Sequence, residues 1–208
     1  MIARDWQVCG DRTGRVWRYH VAVDRLEHGE RWCAVAEDDG SLACLHKCEN
    51  DSYWVDEFER LQAAVAIASR PEVQAADTIC QLLDVCSADP ILVAIWEWAD
   101  ASLVDFLDEP DEDPRSVADA IEANVGAALD VLHSIGMVHM DVAPNNVLRI
   151  GGTWKLADLD SCVPLGQPAV RRPRAERYVH PDVIDATPAA RYEFDDYGLR
   201  QILARVRG

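Results

Sequence analysis

The stretch LHSIGMVHMDVAPNNVL at residues 132–148 organises the rest of this chain. A helix is predicted to end near Gly136, because glycine is a common stop signal at a helix C-terminus. The Met-Val and Val-Leu pairs that follow are too short for helices and favour strands. The loop between these pairs carries Asp141 and Asn146, and Pro144 keeps it out of a helix. The sequence therefore predicts a polar loop held between two short strands.

A further acidic residue follows this loop at the end of another predicted strand. Residues 153–157, TWKLA, read as that strand, and Asp158 comes directly after it. Loop and strand ends would then deliver Asp141, Asn146 and Asp158 to one place. Carboxylate and amide oxygens are hard ligands that suit Mg²⁺ bound together with substrate phosphates.

The spacing His139-x-Asp141-x-x-x-x-Asn146 resembles the catalytic loop of the protein-kinase superfamily, and LADLD around Asp158 resembles its metal-binding motif. The resemblance implies that Asp141 accepts or orients the proton of the attacking hydroxyl. It also implies that Asn146 and Asp158 hold the metal ions that bridge the phosphates of ATP. His139 would be a structural, hydrogen-bonded histidine rather than a base. For the loop alone, an ordinary hairpin with solvated acids is the alternative interpretation.

The resemblance covers residues 8–206 and implies a two-lobed α+β fold of the protein-kinase type. A β-rich N-lobe with one helix, the counterpart of helix C, is expected over residues 1–98, with a hinge near 97–100. A helical C-lobe is expected over residues 99–208. It would be a minimal lobe that stops after helix F, which begins near Tyr192, and a partner protein could complete it.

The bulk composition excludes several classes of protein. A net charge of −17 argues against nonspecific binding of nucleic acid or anionic membranes, since both need a positive surface. No apolar run reaches the roughly 18 residues of a membrane-spanning helix, and the N-terminus lacks the apolar core of a signal peptide. Seven cysteines without a Cys-x-x-Cys pair indicate reduced thiols of a cytoplasmic protein. The Arg- and Ala-rich composition points to a bacterial source.

Residues 42–47 read as a strand closed by Lys47, one of only two lysines in the chain. This strand resembles the Val-Ala-x-Lys strand of kinases with one residue of slippage, which implies that Lys47 neutralises the α- and β-phosphates. Residues 53–69 form a predicted helix that resembles helix C. Its Glu57 is the preferred partner of Lys47, and Glu59 is the fallback. For all three side chains, a solvated surface charge is the alternative.

The turn VCGDRTGRV at residues 8–16 is a partial match to the Gly-rich phosphate loop of kinases. Gly14 and Val16 fit the end of that pattern, whereas Cys9 and Asp11 stand where glycines are expected. If this loop covers ATP, it should do so less closely than a full Gly-rich loop. An ordinary turn is an equally good interpretation.

The resemblance also implies a hinge directly after the predicted strand at residues 91–96. The carbonyl of Glu97 and the backbone groups of Ala99 would hydrogen-bond adenine. Trp96 would be an unusually large gatekeeper at the back of the adenine pocket. Backbone contacts leave no side-chain signature, so these assignments depend on position alone.

Residues 115–134 form the longest predicted helix, which delivers the catalytic loop. Gly126 inside it indicates close packing against a neighbour. After the loop, residues 161–178 stand where kinases have the activation segment, and Ser161 is the only Ser or Thr among them. Met140 occupies the position at which many regulated kinases carry an arginine that meets a phosphorylated segment. A site that is active without phosphorylation is therefore expected.

The leading interpretation is a Mg²⁺/ATP-dependent protein Ser/Thr kinase, supported by the order Lys47, Glu57, Asp141, Asn146 and Asp158 along the chain. A small-molecule or glycolipid kinase of the same fold is one alternative. A pseudokinase that binds and regulates a partner is another, favoured by the degraded Gly-rich loop. ATP binding without turnover would distinguish the pseudokinase from the two enzymes.

Overall fold

The computed structural model describes residues 6–19, 24–26, 29–49, 55–169, 176–184 and 186–208. Its contacts divide the chain into two compact units. The first unit comprises Met1–Ser69 with Gln81–Trp98, and the second comprises Arg70–Cys80 with Ala99–Gly208. Within the described ranges, no helix combines the length and apolar character needed to span a membrane.

An antiparallel sheet forms the frame of the first unit. Its strands are β1 (Trp6–Cys9), β2 (Val16–Tyr19), β3 (Asp24–Leu26), β4 (Gly29–Ala36), β5 (Leu42–Glu49), β6 (Leu82–Ala88) and β7 (Ile91–Glu97). The spatial order is β1-β2-β4-β5-β7-β6, and β3 pairs with β4. The turn between β4 and β5 contains Gly40, whose φ of 73° glycine adopts without steric cost.

One face of this sheet is packed into an apolar core and is called the core face below. The other face of β5 and β7 is called the helix-side face. Alternate residues of a strand point to opposite faces, so Ala43 and Leu45 lie on the core face while Cys44 lies on the helix-side face. The buried residues of the core face are Trp17, Ala34, Ala36, Ala43, Leu45, Val93 and Ile95.

Helix α1 (Val55–Ala68) packs against β5 and β7 of the same unit. Its buried residues Leu61, Ala64 and Ala68 recur at intervals of three and four, which places them on one side of the helix. The predicted helix is therefore confirmed over the described part. Residues 53 and 54, with which it was expected to begin, lie outside the described residues.

The second unit contains α2 (Pro71–Gln74), α3 (Leu103–Asp108), α4 (Pro114–Ser134), α5 (Pro181–Ile184) and α6 (Tyr192–Arg207). Asp113 caps α4 by accepting a hydrogen bond from the amide of Ser116 at 3.0 Å, and Pro114 occupies the first turn, where its missing N–H is harmless. The longest predicted helix is thus confirmed. Gly126 corrects an expectation, because a Cβ built there would meet nothing within 4 Å.

Five short strands complete the second unit: β8 (Ala101–Ser102), β9 (Met137–Val138), β10 (Val147–Ile150), β11 (Thr153–Leu156) and β12 (Val163–Pro164). β10 pairs with β11 on one side and with β8 on the other, and β12 pairs with β9. The strands predicted on either side of the polar loop are therefore confirmed as β9 and β10. A 3₁₀ helix at Pro144–Asn146 leads directly into β10.

Residues 70–80 belong to the second unit, whereas the boundaries expected from the sequence placed them in the N-lobe. The amide of Cys80 donates to the carbonyl of Leu156 at 2.8 Å, and the amide of Leu156 donates to the carbonyl of Thr78 at 2.9 Å. Ile79 between them is fully buried. Residues 78–80 thus form a parallel bridge with Leu156 at the end of β11, and pairing with β7 begins only at Leu82.

Candidate active site

His139 is buried, and both of its ring nitrogens have partners. Nε2 lies 3.0 Å from the carbonyl oxygen of Ala157, and Nδ1 accepts a hydrogen bond from the amide of Asp141 at 3.3 Å. A carbonyl can only accept, so Nε2 is the donor in this hydrogen bond. His139 therefore ties the loop to the end of β11. Its predicted structural role is confirmed.

Asp141 and Asn146 are joined directly by hydrogen bonds. Nδ2 of Asn146 donates to the carboxylate Oδ2 of Asp141 at 2.9 Å and to its backbone carbonyl at 2.9 Å. Oδ1 of Asn146 accepts from Nδ2 of Asn145 at 2.6 Å. Asn146 is fully buried, whereas Asp141 is half-buried. A rigid amide thus orients a carboxylate that solvent and substrate can still reach.

Asp158 is brought to this pair by the β10–β11 hairpin. Val147 and Leu156 are directly opposed at the open end of the hairpin, and the amide of Ala157 donates to the carbonyl of Asn146 at 2.8 Å. Asp158 is the next residue, and its side chain is exposed. The three residues predicted to meet are therefore delivered to one end of one hairpin.

Two residues beside the site hold a backbone conformation that is unusual for side chains other than glycine. Met140 has a φ of 69° and Asp158 has a φ of 65°, both in the left-handed region. Such residues cost about 1–3 kcal/mol each and persist only where the surrounding contacts enforce them. The strain lies on either side of Asp141 and Asn146, where it fixes the direction in which the side chains project.

The oxygen donors here fit a hard divalent cation completed by phosphate oxygens. Asp158 offers an exposed carboxylate, and the amide oxygen of Asn146 keeps a second lone pair beside its bond from Asn145. Among the described residues, no group of three or more His, Cys, Asp and Glu side chains could hold a metal by itself. One carboxylate and one amide oxygen leave most of the coordination positions of a hard cation to other oxygens.

Asp195 on α6 is a functional residue that the sequence reasoning missed. Its carboxylate is fully buried and accepts from the amide of His139 at 2.8 Å and from the amide of Met140 at 2.9 Å. Nε2 of His133 lies 2.9 Å from the same carboxylate. Asp195 therefore fixes the backbone at the start of the loop, where Met140 has its positive φ. The sequence contains one signal for it. Asp195 lies in the apolar stripe of α6, with Phe194 before it and Gly198 after it, and an acid in such a stripe is rarely buried unless it is paired.

The turn expected to act as a phosphate loop is closed by hydrogen bonds inside the first unit. It connects β1 and β2, yet it bonds to β6 at the other edge of the sheet, so the sheet curls until its edges meet. Its amides already donate as follows: Gly10 to Arg15 O, Asp11 to Val85 O, Arg12 to Asp84 Oδ1, Gly14 to Gly10 O and Arg15 to Thr13 Oγ1.

The carboxylate of Asp84 is the centre of this closure. It accepts hydrogen bonds from the hydroxyl of Thr13 and from Nε1 of Trp17, the latter at 3.3 Å. Burial alone would raise the pKa of Asp84, but these bonds and those from the Arg12 and Val85 amides outweigh it and lower the pKa. Asp84 is therefore a buried carboxylate that is stabilised in its charged form.

The roles expected for Gly14 and Val16 stay predictions, and the structure gives the turn another one. Gly14 has a φ of 71°, which suits glycine in a tight turn. Five amides of the turn are engaged in hydrogen bonds within the first unit, so the turn links β1 to β6. Val16 lies half-buried on the face opposite Trp17, away from the core face.

The strand cation and its glutamate differ from the expected pair. Lys47 does not close β5, which continues to Glu49. Oε1 of Glu57 lies 3.4 Å from Nε2 of His46, and Glu59, the fallback, is exposed. The described partner of Glu57 is thus His46. Lys47, the next residue along the strand, points to the opposite face.

The residues expected at the hinge are described within their own units. In the first unit, the Glu97 amide donates to the carbonyl of Gln81 at 3.0 Å, and the Glu97 side chain accepts from the Gln81 amide at 2.9 Å. Trp96 is half-buried on the helix-side face of β7, directly opposite Cys44. Ala99 is half-buried in the second unit. Adenine recognition by Glu97 and Ala99 stays a prediction.

Comparison with known proteins supplies independent information. A model described as the protein kinase domain matches residues 34–206. A probable serine/threonine-protein kinase of Clostridium perfringens is 32% identical over 101 residues, which are 48% of this chain and 14% of that protein. Serine/threonine-protein kinase 36 of Pongo abelii is 33% identical over 81 residues, or 38% of this chain and 6% of that protein. The chain thus spans a small fraction of the length of the curated relatives it matches.

Proposed function

This chain belongs to the protein kinase family, and on that premise we propose that it transfers the γ-phosphate of ATP to a serine or threonine hydroxyl of a protein. The observation that carries the proposal is the hydrogen-bonded pair of Asp141 and Asn146 beside Asp158. The relatives from Clostridium perfringens and Pongo abelii are both named as serine/threonine kinases, which supports this choice of acceptor.

Asp141 is the proposed acceptor of the hydroxyl proton. Its Oδ2 is held by Asn146 at 2.9 Å, and we assign the incoming hydroxyl to Oδ1 of the same carboxylate. The loop is fixed by His139 and Asp195, so the carboxylate does not have to be reoriented during the reaction. Preorganised positioning of this kind is the main contribution a protein makes to phosphoryl transfer.

Asn146 and Asp158 are the residues that would hold Mg²⁺. The ion supplies neutralisation of the charge that develops on the transferred phosphoryl group. The protein contributes a buried amide that cannot rotate freely and a carboxylate fixed at the open end of the β10–β11 hairpin. Both oxygens are thereby held ready for the metal–nucleotide complex rather than for a free ion.

We further propose that the site is active without phosphorylation of the segment after Asp158. Ser161 is 7% exposed, and its hydroxyl donates to Asp160 at 3.1 Å. The Met140 amide is held by Asp195, within the protein, and the Met140 side chain offers no cation for a phosphate. Residues 170–175 of this segment lie outside the described residues.

One observation favours a second function, that of a pseudokinase that binds a partner. Five amides of the β1–β2 turn donate hydrogen bonds to the turn itself or to β6, so these amides are not available to bind the phosphates of a nucleotide. Weak nucleotide binding and no turnover would follow if the turn never opens. The intact set of Asp141, Asn146 and Asp158 favours catalysis, since a binding module has no chemical need for all three.

The experiment that tests the proposal is transfer of radiolabelled γ-phosphate from ATP and Mg²⁺ to proteins of a lysate and to the chain itself. The variants are Asp141→Asn, Asp158→Asn and, as a matched control, Asp130→Asn on the exposed side of α4. Asp141→Asn should lower turnover by about 10²–10⁴-fold if that carboxylate is the base. The control removes an equal charge from an exposed position of α4 and should leave labelling unchanged.

A labelled protein band that is lost in both Asp141→Asn and Asp158→Asn, and is retained in Asp130→Asn, would support a protein kinase. ATP consumption that appears only when small metabolites are added would transfer the assignment to a small-molecule kinase. Nucleotide binding without consumption under any condition would reject an enzyme and favour the pseudokinase.

A further inference from the structure

We propose that His46, held by Glu57, takes the place of Lys47 as the strand residue that donates to the phosphates of the bound nucleotide. The inference rests on the proposed function, because it concerns the ATP that a kinase would bind. It depends on the pairing of β5 with its neighbours and on the position of α1, all within the first unit.

The faces of β5 decide between the two residues. Ala43 and Leu45 are fully buried in the core face, and Lys47 has the same parity along the strand. Cys44 and His46 have the opposite parity and lie on the helix-side face. A one-residue difference along a strand therefore exchanges the two sides of the sheet.

The register of β5 with β7 places the expected gatekeeper on the same side as His46. Cys44 is directly opposite Trp96, and His46 is directly opposite Ala94. Opposed residues of an antiparallel pair project from the same face. Trp96 and the strand cation can share a face only if that cation is His46.

Helix α1 supplies the acid that holds this side chain. Oε1 of Glu57 lies 3.4 Å from Nε2 of His46, and both side chains are about one-third exposed, at 27% and 34%. The contact therefore has the same position, with histidine in place of lysine, as the strand-to-helix contact that positions phosphates in kinases. This also explains the one-residue offset from the Val-Ala-x-Lys pattern. If that pattern is aligned with ACLH at residues 43–46 rather than with CLHK at residues 44–47, its last residue lies on the helix-side face.

The chemistry of histidine suits this position. With Nε2 directed to a carboxylate, Nδ1 is the nitrogen left to face a phosphate oxygen. A protonated imidazole donates from both nitrogens and carries one positive charge, as lysine does. Its reach is shorter than that of lysine, so the ring depends more strongly on Glu57 for its direction.

The test compares steady-state kinetics and nucleotide binding in His46→Ala, His46→Lys, Lys47→Ala and Glu57→Gln. Binding is measured with a fluorescent ATP analogue and Mg²⁺, and folding is verified by thermal unfolding. Glu72→Gln removes an equal charge from an exposed position on α2 and is the control for Glu57→Gln. We expect His46→Ala to raise the KM for ATP about 10- to 100-fold, the range for one hydrogen bond to a charged group.

Rescue distinguishes a phosphate contact from a structural role. His46→Lys should restore the KM for ATP to within about 3-fold of the parent protein, an energetic difference below 1 kcal/mol. Glu57→Gln should shift the same KM in the direction of His46→Ala, and Lys47→Ala should shift it less. An equal or larger loss in Lys47→Ala, an unchanged His46→Ala, or a His46→Lys variant as impaired as His46→Ala would overturn the proposal.

Failure of this inference is distinguishable from failure of the proposed function. If the parent protein transfers no phosphate, kinase activity is rejected, yet the affinity for the ATP analogue still ranks the variants. A loss of analogue affinity in His46→Ala with rescue in His46→Lys supports the assignment in that case. An affinity that is identical in every variant rejects it.

Discussion

Gly198 on α6 provides the sharpest test of how the catalytic loop is supported. A Cβ added at Gly198 would lie 2.6 Å from the carbonyl oxygen of Val142 and 2.9 Å from the Val142 Cβ. Both distances are below ordinary van der Waals contact, and the nearer atom belongs to the backbone, so the loop itself must shift. Val142 follows Asp141 directly. Gly198→Ala is therefore expected to displace the proposed base.

The magnitude follows from two opposing contributions. Overpacking of a closely packed site costs about 1–3 kcal/mol. Replacing a helix glycine by alanine returns about 0.5–1 kcal/mol through the entropy of the unfolded chain. The net effect of Gly198→Ala is thus a loss of up to about 2.5 kcal/mol, centred near about 1 kcal/mol, which lowers the Tm by about 2–4 °C per kcal/mol in a chain of this size. A displacement of about 1 Å at the loop would lower turnover by as much as about 100-fold.

Gly126 on α4 is the matched control, because its added Cβ would meet nothing within 4 Å. Gly126→Ala should gain about 0.5–1 kcal/mol and leave turnover unchanged. The assays are thermal unfolding by circular dichroism and the phosphate-transfer rate at saturating ATP. If Gly198→Ala proves as stable and as active as Gly126→Ala, the loop is not held by this contact and the reasoning is wrong.

Three further predictions concern single side chains. Asp195→Asn should cost about 1–3 kcal/mol in denaturant unfolding and lower turnover, since one buried loop amide loses its acceptor, whereas the exposed neighbour variant Asp196→Asn should do neither. Because the folded-state pKa of Asp84 is lowered, its stabilisation is complete above the unfolded pKa of about 3.9 and is lost as pH falls through the lower folded value. Acid unfolding followed by fluorescence should therefore be less steep in Asp84→Asn. Ser161→Ala and phosphatase treatment should both leave the transfer rate unchanged, and a loss of rate in either would contradict activity without phosphorylation.

The residues of the candidate site that lie together as the sequence predicted are close to one another along the chain. His139, Asp141 and Asn146 fall within eight consecutive residues, and Asp158 follows across a single hairpin. The turn and strand signals that set this geometry act over a few residues, so a motif and its structure are tied together. The same holds for α4, where a proline, a capping aspartate and an apolar stripe all agree.

Asp195 could not be predicted with the same ease, because its partners are distant in sequence. It lies 56 residues from His139 and 55 from Met140. A buried carboxylate is recognisable as unusual from the apolar stripe of α6, but the amides it accepts from become apparent only when helix and loop are packed together. Sequence patterns state which side chains are buried and leave open what they are buried against.

The β1–β2 turn is a related case. Its composition was compatible both with a degraded phosphate loop and with an ordinary turn, and nothing local separates the two. The decisive residue, Asp84, lies about 70 positions away on β6 and reaches the turn only because the sheet curls. A Cβ at Gly10 would collide with the Asp84 carboxylate, so this glycine permits the close approach of Asp84 to the turn.

The choice between His46 and Lys47 depends on which face of β5 each residue occupies. A strand has a period of two, so a motif that matches with one residue of slippage is not a near match but a match to the other face. The sequence favours Lys47 because lysine is scarce in this chain and is the usual residue at this position of kinases. Burial carries the better information: Ala43 and Leu45 are apolar and fully enclosed, which assigns the odd positions of β5 to the core face. Glu57 contacts His46, the residue of even parity. The register of β5 therefore identifies the partner of Glu57 better than residue type does.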